Sequence, residues 1–115
     1  MPTLRLSALA ALAIAAAFLP GLAPADEGIV VHNAQHQALP EAWADGFTKD
    51  TGIKVTLRNG DDTELGNQLV QEGAASPADV FLTENSPAMA LVDNAGLFAS
   101  VDAATLAQVP ATFKA

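Results

Sequence analysis

At 115 residues the chain is long enough for one small domain, and its 5 basic against 13 acidic side chains give a formal net charge of −8. This charge disfavours nucleic acid as a partner, because an acidic surface is repelled by the phosphate backbone. The chain has no cysteine, which excludes disulfides and thiolate metal ligands.

The first 25 residues are typical of a secretory signal peptide. One basic side chain precedes an uncharged run over 6–19 (LSALAALAIAAAFL), and Ala23 and Ala25 supply the small residues that a signal peptidase reads. The run is shorter than the ~20 apolar residues of a transmembrane helix. We therefore expect a cleaved signal at 1–25 and a mature domain at 26–115, exported to the periplasm.

The mature part begins with a predicted strand and helix. A strand is predicted over 28–31 (GIVV), and a helix over 38–50 follows it. Gly52 suits the left-handed position that ends a helix. Apolar residues recur at helical spacing along this helix, and we expect them in the core: Leu39, Trp43 and Phe47.

A second strand and helix follow. The strand over 53–57 (IKVTL) alternates apolar and polar side chains. Asp61 and Glu64 have the spacing of a capping box, and the helix that they begin ends at Gly73. Both Asp61 and Asp62 are interpreted as helix caps, because the ligand spacing of a calcium loop is absent. The expected apolar face of this helix consists of Leu65, Leu69 and Val70.

A third strand is predicted over 78–82 (ADVFL). Ser86 before a proline has the form of a helix start, and this helix ends at Gly96. A last short helix is predicted from Asp102 to just before Pro110. The third helix presents its apolar face at Leu91 and Val92.

The order of elements, β-α-β-α-β-α, predicts an α/β fold with a parallel sheet and right-handed crossovers. We expect the second strand to lie on one side of the first and the third strand on the other side. Three parallel strands must be covered on both faces, and the sequence stops without a terminal strand. The chain is therefore expected to be the beginning of a larger protein.

Four residues in the loops after the strands are expected at one edge of the sheet. In a parallel sheet these loops emerge together, and ligands of open α/β sheets bind there. His36, Asn59, Gly60 and Glu84 therefore share one rim. His36 and Glu84 follow neighbouring strands, and an imidazole with a carboxylate makes half of a metal site.

The two histidines are four residues apart, which suggests a zinc site as an alternative. On a helix this spacing places both rings on one face, but the zinc proteases that use it need a Glu directly after the first His, where this chain has Asn33. A zinc-dependent hydrolase would use His32, His36 and Glu84. For His32 we expect instead a side chain at the strand end that hydrogen-bonds locally.

Four segments together resemble the start of bacterial periplasmic ferric-ion-binding proteins, the solute receptors of iron-uptake ABC transporters. The most specific segment is Ser-Pro-Ala-Asp-Val-Phe at 76–81, followed closely by Glu84. The resemblance covers the chain from about Gly28 to its end. The four segments are 28–36, 42–48, 51–55 and 72–81.

The resemblance implies that His36 supplies a nitrogen and Glu84 a carboxylate oxygen to Fe³⁺. It implies part of the first lobe of a two-lobed, type II periplasmic binding protein that is a monomer and not an enzyme. It also implies a synergistic anion and an ABC permease of the inner membrane as partners. The family's tyrosine ligands have no counterpart, because this chain contains no tyrosine. His32 stands where the family often has an aromatic residue.

The sequence is also compatible with three alternatives to an iron receptor. The chain could be a solute-binding protein for another metal or a small anion, or the zinc hydrolase described above. It could also be a truncated product that folds poorly and binds nothing.

Overall fold

A computed structural model describes residues 28–114 of the chain. The predicted signal peptide lies outside the described residues. Among the described residues, no helix is both long and apolar enough to cross a bilayer.

Each predicted strand and helix in 28–114 is present. The strands are β1 (Ile29–Asn33), β2 (Val55–Asn59) and β3 (Val80–Leu82). The helices are α1 (Ala38–Thr51), α2 (Asp62–Glu72), α3 (Ser86–Asn94) and α4 (Ala103–Ala107), and short 3-10 turns lie at Gly73–Ala75 and Ala111–Phe113. The prediction of an α/β fold is confirmed.

The three strands form one parallel sheet in the order β2-β1-β3. On one side of β1, Asn33 pairs with Asn59, and on the other side it pairs with Leu82. Asn33, Asn59 and Leu82 are the last residues of their strands, so all three strands end at the same level. The loops that follow them therefore leave from one edge, as the sequence predicts.

The strands differ from their predicted bounds for reasons of hydrogen bonding. β1 continues through His32 and Asn33, which the sequence assigned to a loop, because both residues pair with both neighbouring strands. β2 begins two residues late because the Ile53 N–H donates to Thr51 Oγ1 at the end of α1. β3 begins late because the Ala78 N–H donates to Ser76 Oγ.

The predicted helix ends are confirmed where local chemistry determines them. Gly52 ends α1 with a positive φ of 74°, a conformation that costs glycine little. Asp61 caps α2, since its carboxylate accepts hydrogen bonds from the N–H groups of Thr63 at 2.8 Å and Glu64 at 3.4 Å. Asp102 caps α4 by accepting from the Thr105 N–H.

The core of the described residues lies between α2 and α3. Gly66 of α2 faces α3, and a Cβ at this position would make an ordinary contact, at 3.6 Å, with the Cβ of Ala88. Val70 and Leu91, which were expected on the apolar faces of α2 and α3, are more than one-third exposed. The buried apolar side chains are Leu65, Leu69, Ala88 and Val92.

The apolar face of α1 is not buried as predicted. Trp43 is 56% exposed, and Leu39 and Phe47 are also exposed. Trp43 and Phe47 line an open apolar groove together with Val55 and Leu57 of the sheet. Helical spacing therefore identified the face that α1 turns to the sheet, but not its degree of burial within 28–114.

Burial predicts different costs for the same substitution in α2 and in α1. Leu69 is 5% exposed and Leu39 is 48% exposed. We expect Leu69→Ala to lower the free energy of unfolding by about 2–5 kcal/mol, since it removes buried methyl groups and leaves a cavity. Leu39→Ala should cost less than about 1 kcal/mol. Urea unfolding followed by circular dichroism measures both, and equal losses would contradict the described core.

Candidate metal site

The structure brings His36 and Glu84 together. His36 lies in the loop after β1 and Glu84 in the loop after β3, and His36 Nε2 is 3.5 Å from Glu84 Oε1. The His36 side chain is 94% exposed and that of Glu84 is 36% exposed, so an ion from solvent can reach both. The two residues that the sequence assigned to neighbouring loops are thus in contact.

The separation of this pair suits two ligands of one ion. Nitrogen and oxygen ligands bind a first-row metal at about 2.0–2.2 Å, so two adjacent ligands lie roughly 3–3.5 Å apart. His36 and Glu84 therefore need little movement to bind one ion. Within residues 28–114, no three His, Asp or Glu side chains lie close enough to hold a metal together. The described residues thus offer a pair of candidate ligands and no third.

Asn33 fixes the loop that carries His36. Its side chain is fully buried, and its Nδ2 donates to the Gln35 carbonyl at 3.1 Å and to Asn59 Oδ1 at 2.8 Å. Its Oδ1 accepts from the Gln35 N–H at 3.0 Å. Asn33 thereby holds Gln35, the residue before His36, in a tight turn. It also joins this turn to the end of β2 through Asn59.

The other two predicted rim residues have structural contacts. Asn59 accepts the hydrogen bond from Asn33, as described above. The Gly60 N–H donates to the Asn33 carbonyl at 3.0 Å. A Cβ on Gly60 would lie 2.9 Å from the Leu65 side chain, so a larger residue here would displace that side chain. Both residues therefore contact Asn33 at the end of the sheet.

A further hydrogen bond joins the two loops that carry the candidate ligands. Gln35 Nε2 donates to the Thr83 carbonyl at 3.0 Å. Gln35 directly precedes His36, and Thr83 directly precedes Glu84. The hydrogen bond therefore joins the side chain of the residue before His36 to the backbone of the residue before Glu84.

Asp62 differs from its predicted role as a helix cap. Asp61 alone caps α2, and the Asp62 carboxylate turns instead to the loop after β3. It accepts hydrogen bonds from Thr83 Oγ1, from the Glu84 N–H at 3.3 Å and from Asn85 Nδ2. The bond from Thr83, with those from Asn85 and Glu84, holds the pKa of the Asp62 carboxyl below its usual value. The sequence marked Asp61 as a cap by its spacing to Glu64, but it gave no signal that Asp62 contacts a distant loop.

His32 also departs from its prediction. Its side chain is fully buried, and neither ring nitrogen has a hydrogen-bond partner within 28–114. The expectation of a local hydrogen bond is therefore wrong. The physical reason is that His32 lies inside the ladder of β1, on the face opposite to Val31. Because His32 forms no metal-holding group with His36 and Glu84, the zinc site of the hydrolase alternative is not formed.

Burial also affects the ionisation of His32. Removal from water lowers the pKa of the His32 imidazole, the charge of Glu72 opposes this effect, and the charge of Arg58 adds to it. Two hydrogen bonds to the Glu72 carboxylate, from Gln68 Nε2 and Ser76 Oγ, lower the pKa of Glu72 itself. His32 therefore favours the neutral form in the folded chain.

Comparisons with known proteins agree on one family. The model of the bacterial extracellular solute-binding protein family matches residues 32–113. The Fe(3+)-binding periplasmic protein of Serratia marcescens is 67% identical over 116 residues, which cover 96% of this chain and 34% of that protein. The major ferric iron-binding protein of Neisseria gonorrhoeae is 43% identical over 94 residues, which cover 82% of this chain and 28% of that protein.

A solved structure gives the same result. The crystal structure of iron-bound HitA from Pseudomonas aeruginosa matches with a TM-score of 0.67 and 44% sequence identity. The match covers 71% of this chain and 27% of HitA. The chain therefore spans about a third or less of the length of the relatives that it matches.

The buried imidazole predicts a stability that depends on pH. The unfolded chain binds a proton at His32 as the pH falls through about 6.5, whereas the folded chain resists protonation until a lower pH. The unfolded state then holds more protons. The free energy of unfolding should therefore decrease as the pH is lowered from about 7 to about 5. Urea unfolding at a series of pH values measures this slope.

Two substitutions assign the slope to one histidine. His32→Leu should flatten it and should not lower stability at neutral pH, because it removes a buried polar group without partners. His36→Ala alters the other histidine, which is exposed, and should keep the slope. A slope that survives in the His32→Leu chain would contradict the prediction.

Proposed function

The chain belongs to the bacterial extracellular solute-binding protein family, and we propose that it is part of a periplasmic receptor that binds ferric iron. The observation that carries the proposal is the contact between His36 and Glu84, at 3.5 Å on one edge of the sheet. The named functions of the Serratia and Neisseria relatives support the choice of metal and of compartment.

The chemistry of the pair suits Fe³⁺. Hard cations prefer anionic oxygen ligands, which Glu84 supplies, and imidazole is a common ligand of iron. The formal net charge of −8 attracts cations to the surface. Iron is the cargo here and undergoes no chemical conversion. His36 must be unprotonated to bind it, so acid should weaken binding.

Two ligands leave most positions of an octahedral ion open. This chain contains no tyrosine, and we propose that tyrosines outside this sequence supply further ligands, together with a synergistic anion. A second lobe would carry these tyrosines and close over the ion by hinge motion. An ABC permease of the inner membrane would then receive the iron.

A ternary complex tests the pair in this chain. Nitrilotriacetate fills four positions of octahedral Fe³⁺ and leaves two adjacent positions open. The Fe³⁺–nitrilotriacetate complex should therefore bind to the chain through His36 and Glu84. In a ¹⁵N-correlated NMR spectrum, the paramagnetic ion should broaden the amide signals around these two residues first. The mixture should show no tyrosinate charge-transfer band, because the chain has no tyrosine.

Substitutions distinguish this site from general attraction of a cation. His36→Ala and Glu84→Gln should each abolish the selective broadening. Glu41→Gln removes the same type of charge from the first turn of α1 and should leave the broadening unchanged. Uniform broadening, or broadening that persists in both site variants, would refute the proposed site. Selective binding of a divalent ion in preference to Fe³⁺ would indicate a receptor for another metal.

A further inference from the structure

We infer that Asp62 is a positioning residue that holds Glu84 in the geometry required of a metal ligand. The inference rests on the proposed function and assigns to it a residue that does not touch the ion. Its basis is a set of hydrogen bonds that joins the start of α2 to the loop after β3.

The Asp62 carboxylate accepts hydrogen bonds from three consecutive residues. Thr83 Oγ1 and the Glu84 N–H at 3.3 Å donate to Oδ1, and Asn85 Nδ2 donates to Oδ2. The three donors therefore include Glu84 itself and the residue on each side of it. Hydrogen bonds to a charged acceptor are stronger than those between neutral groups. The backbone from which the Glu84 side chain extends is thus held from one point.

The position of Asp62 in the fold makes this contact a long-range one. Asp62 follows β2, and Glu84 follows β3, and these strands lie on opposite sides of β1. The carboxylate therefore connects the two outer strands across the end of the central one. His36 follows that central strand, and the Gln35 side chain of its loop donates to the carbonyl of Thr83, a residue that Asp62 also contacts.

The neighbouring aspartate shows that helix capping does not explain Asp62. Asp61 Oδ1 accepts from the N–H groups of Thr63 and Glu64 and so satisfies the first turn of α2. Asp62, at the first position of the helix, is left to contact the loop. The two aspartates have the same charge and adjacent positions but hold different elements. Asp61→Ala is therefore a matched control for Asp62→Ala.

Positioning matters because Glu84 lies on a loop. A ligand that must be ordered when the ion binds loses conformational freedom at that step, and residues that orient a ligand beforehand reduce this cost. Loss of such an outer residue typically weakens metal affinity by about 10–100-fold. We expect Asp62→Ala to weaken the affinity of the chain for Fe³⁺–nitrilotriacetate by a similar factor.

The experiment has one measurement without metal and one with it. Without metal, hydrogen exchange of the Glu84 amide is compared with that of Ala34, which donates to the Leu82 carbonyl at the same edge. In Asp62→Ala the exchange rate of Glu84 relative to Ala34 should rise about tenfold or more, because its acceptor is gone. With Fe³⁺–nitrilotriacetate, the affinity measured from NMR broadening should fall about tenfold or more.

Two further variants complete the test. Asp61→Ala should lower the free energy of unfolding but leave the relative exchange and the affinity unchanged. Asp62→Asn keeps an acceptor at Oδ1 and loses only the one for Asn85, so its affinity should lie between those of the wild type and Asp62→Ala. It also provides the measurement if Asp62→Ala does not fold.

The outcomes separate this inference from the proposed function. If the wild-type chain binds Fe³⁺–nitrilotriacetate at His36 and Glu84 and the Asp62→Ala chain binds it equally well, the proposed function stands and the inference is overturned. An equal loss of affinity in Asp61→Ala would also overturn it, because it would indicate a general effect on the start of α2. If the wild-type chain binds no Fe³⁺–nitrilotriacetate, the proposed function fails, and the inference fails with it.

Discussion

Parallel pairing of β1 with both of its neighbours is the constraint on which the described structure depends. Because the three strands run in one direction and end at one level, their following loops share an edge. The central place of β1 sets the loop of His36 beside the loop of Glu84. An antiparallel β3 would send its following loop to the opposite edge. The contact between imidazole and carboxylate would then be lost, whatever side chains the loop contained.

The strand ladder alone does not fix the loops; polar side chains at the ends of the strands do so. Asn33 uses a fully buried amide to fold the His36 loop and bind the end of β2. Asp62 lies after β2, the other outer strand, and accepts a hydrogen bond from the Glu84 N–H. The partners of Asn33 compensate for its removal from water. His32 has no such partner among the described residues, so its burial costs stability without fixing a loop.

Local signals predicted the order of elements, the cap at Asp61 and the shared rim, because each depends on periodicity, on capping chemistry or on the direction of parallel strands. Contacts between distant segments decided the rest. The burial of His32 depends on how far the ladder of β1 extends, and the exposure of Trp43 depends on what covers the apolar groove. The capping-box spacing to Glu64 identified Asp61 as the cap, but no local signal indicated that Asp62 contacts the loop after β3. The candidate ligands were therefore predictable, and the residues that hold them were not.

Locating iron in a crystal tests the central claim most directly. Crystals of this chain grown with Fe³⁺–nitrilotriacetate would give an anomalous difference map at the iron absorption edge. The proposed site predicts one peak within bonding distance of both His36 Nε2 and a carboxylate oxygen of Glu84. A peak that contacts neither residue, or an iron atom bound only by other carboxylates of the acidic surface, would contradict the assignment of this edge of the sheet as a metal site.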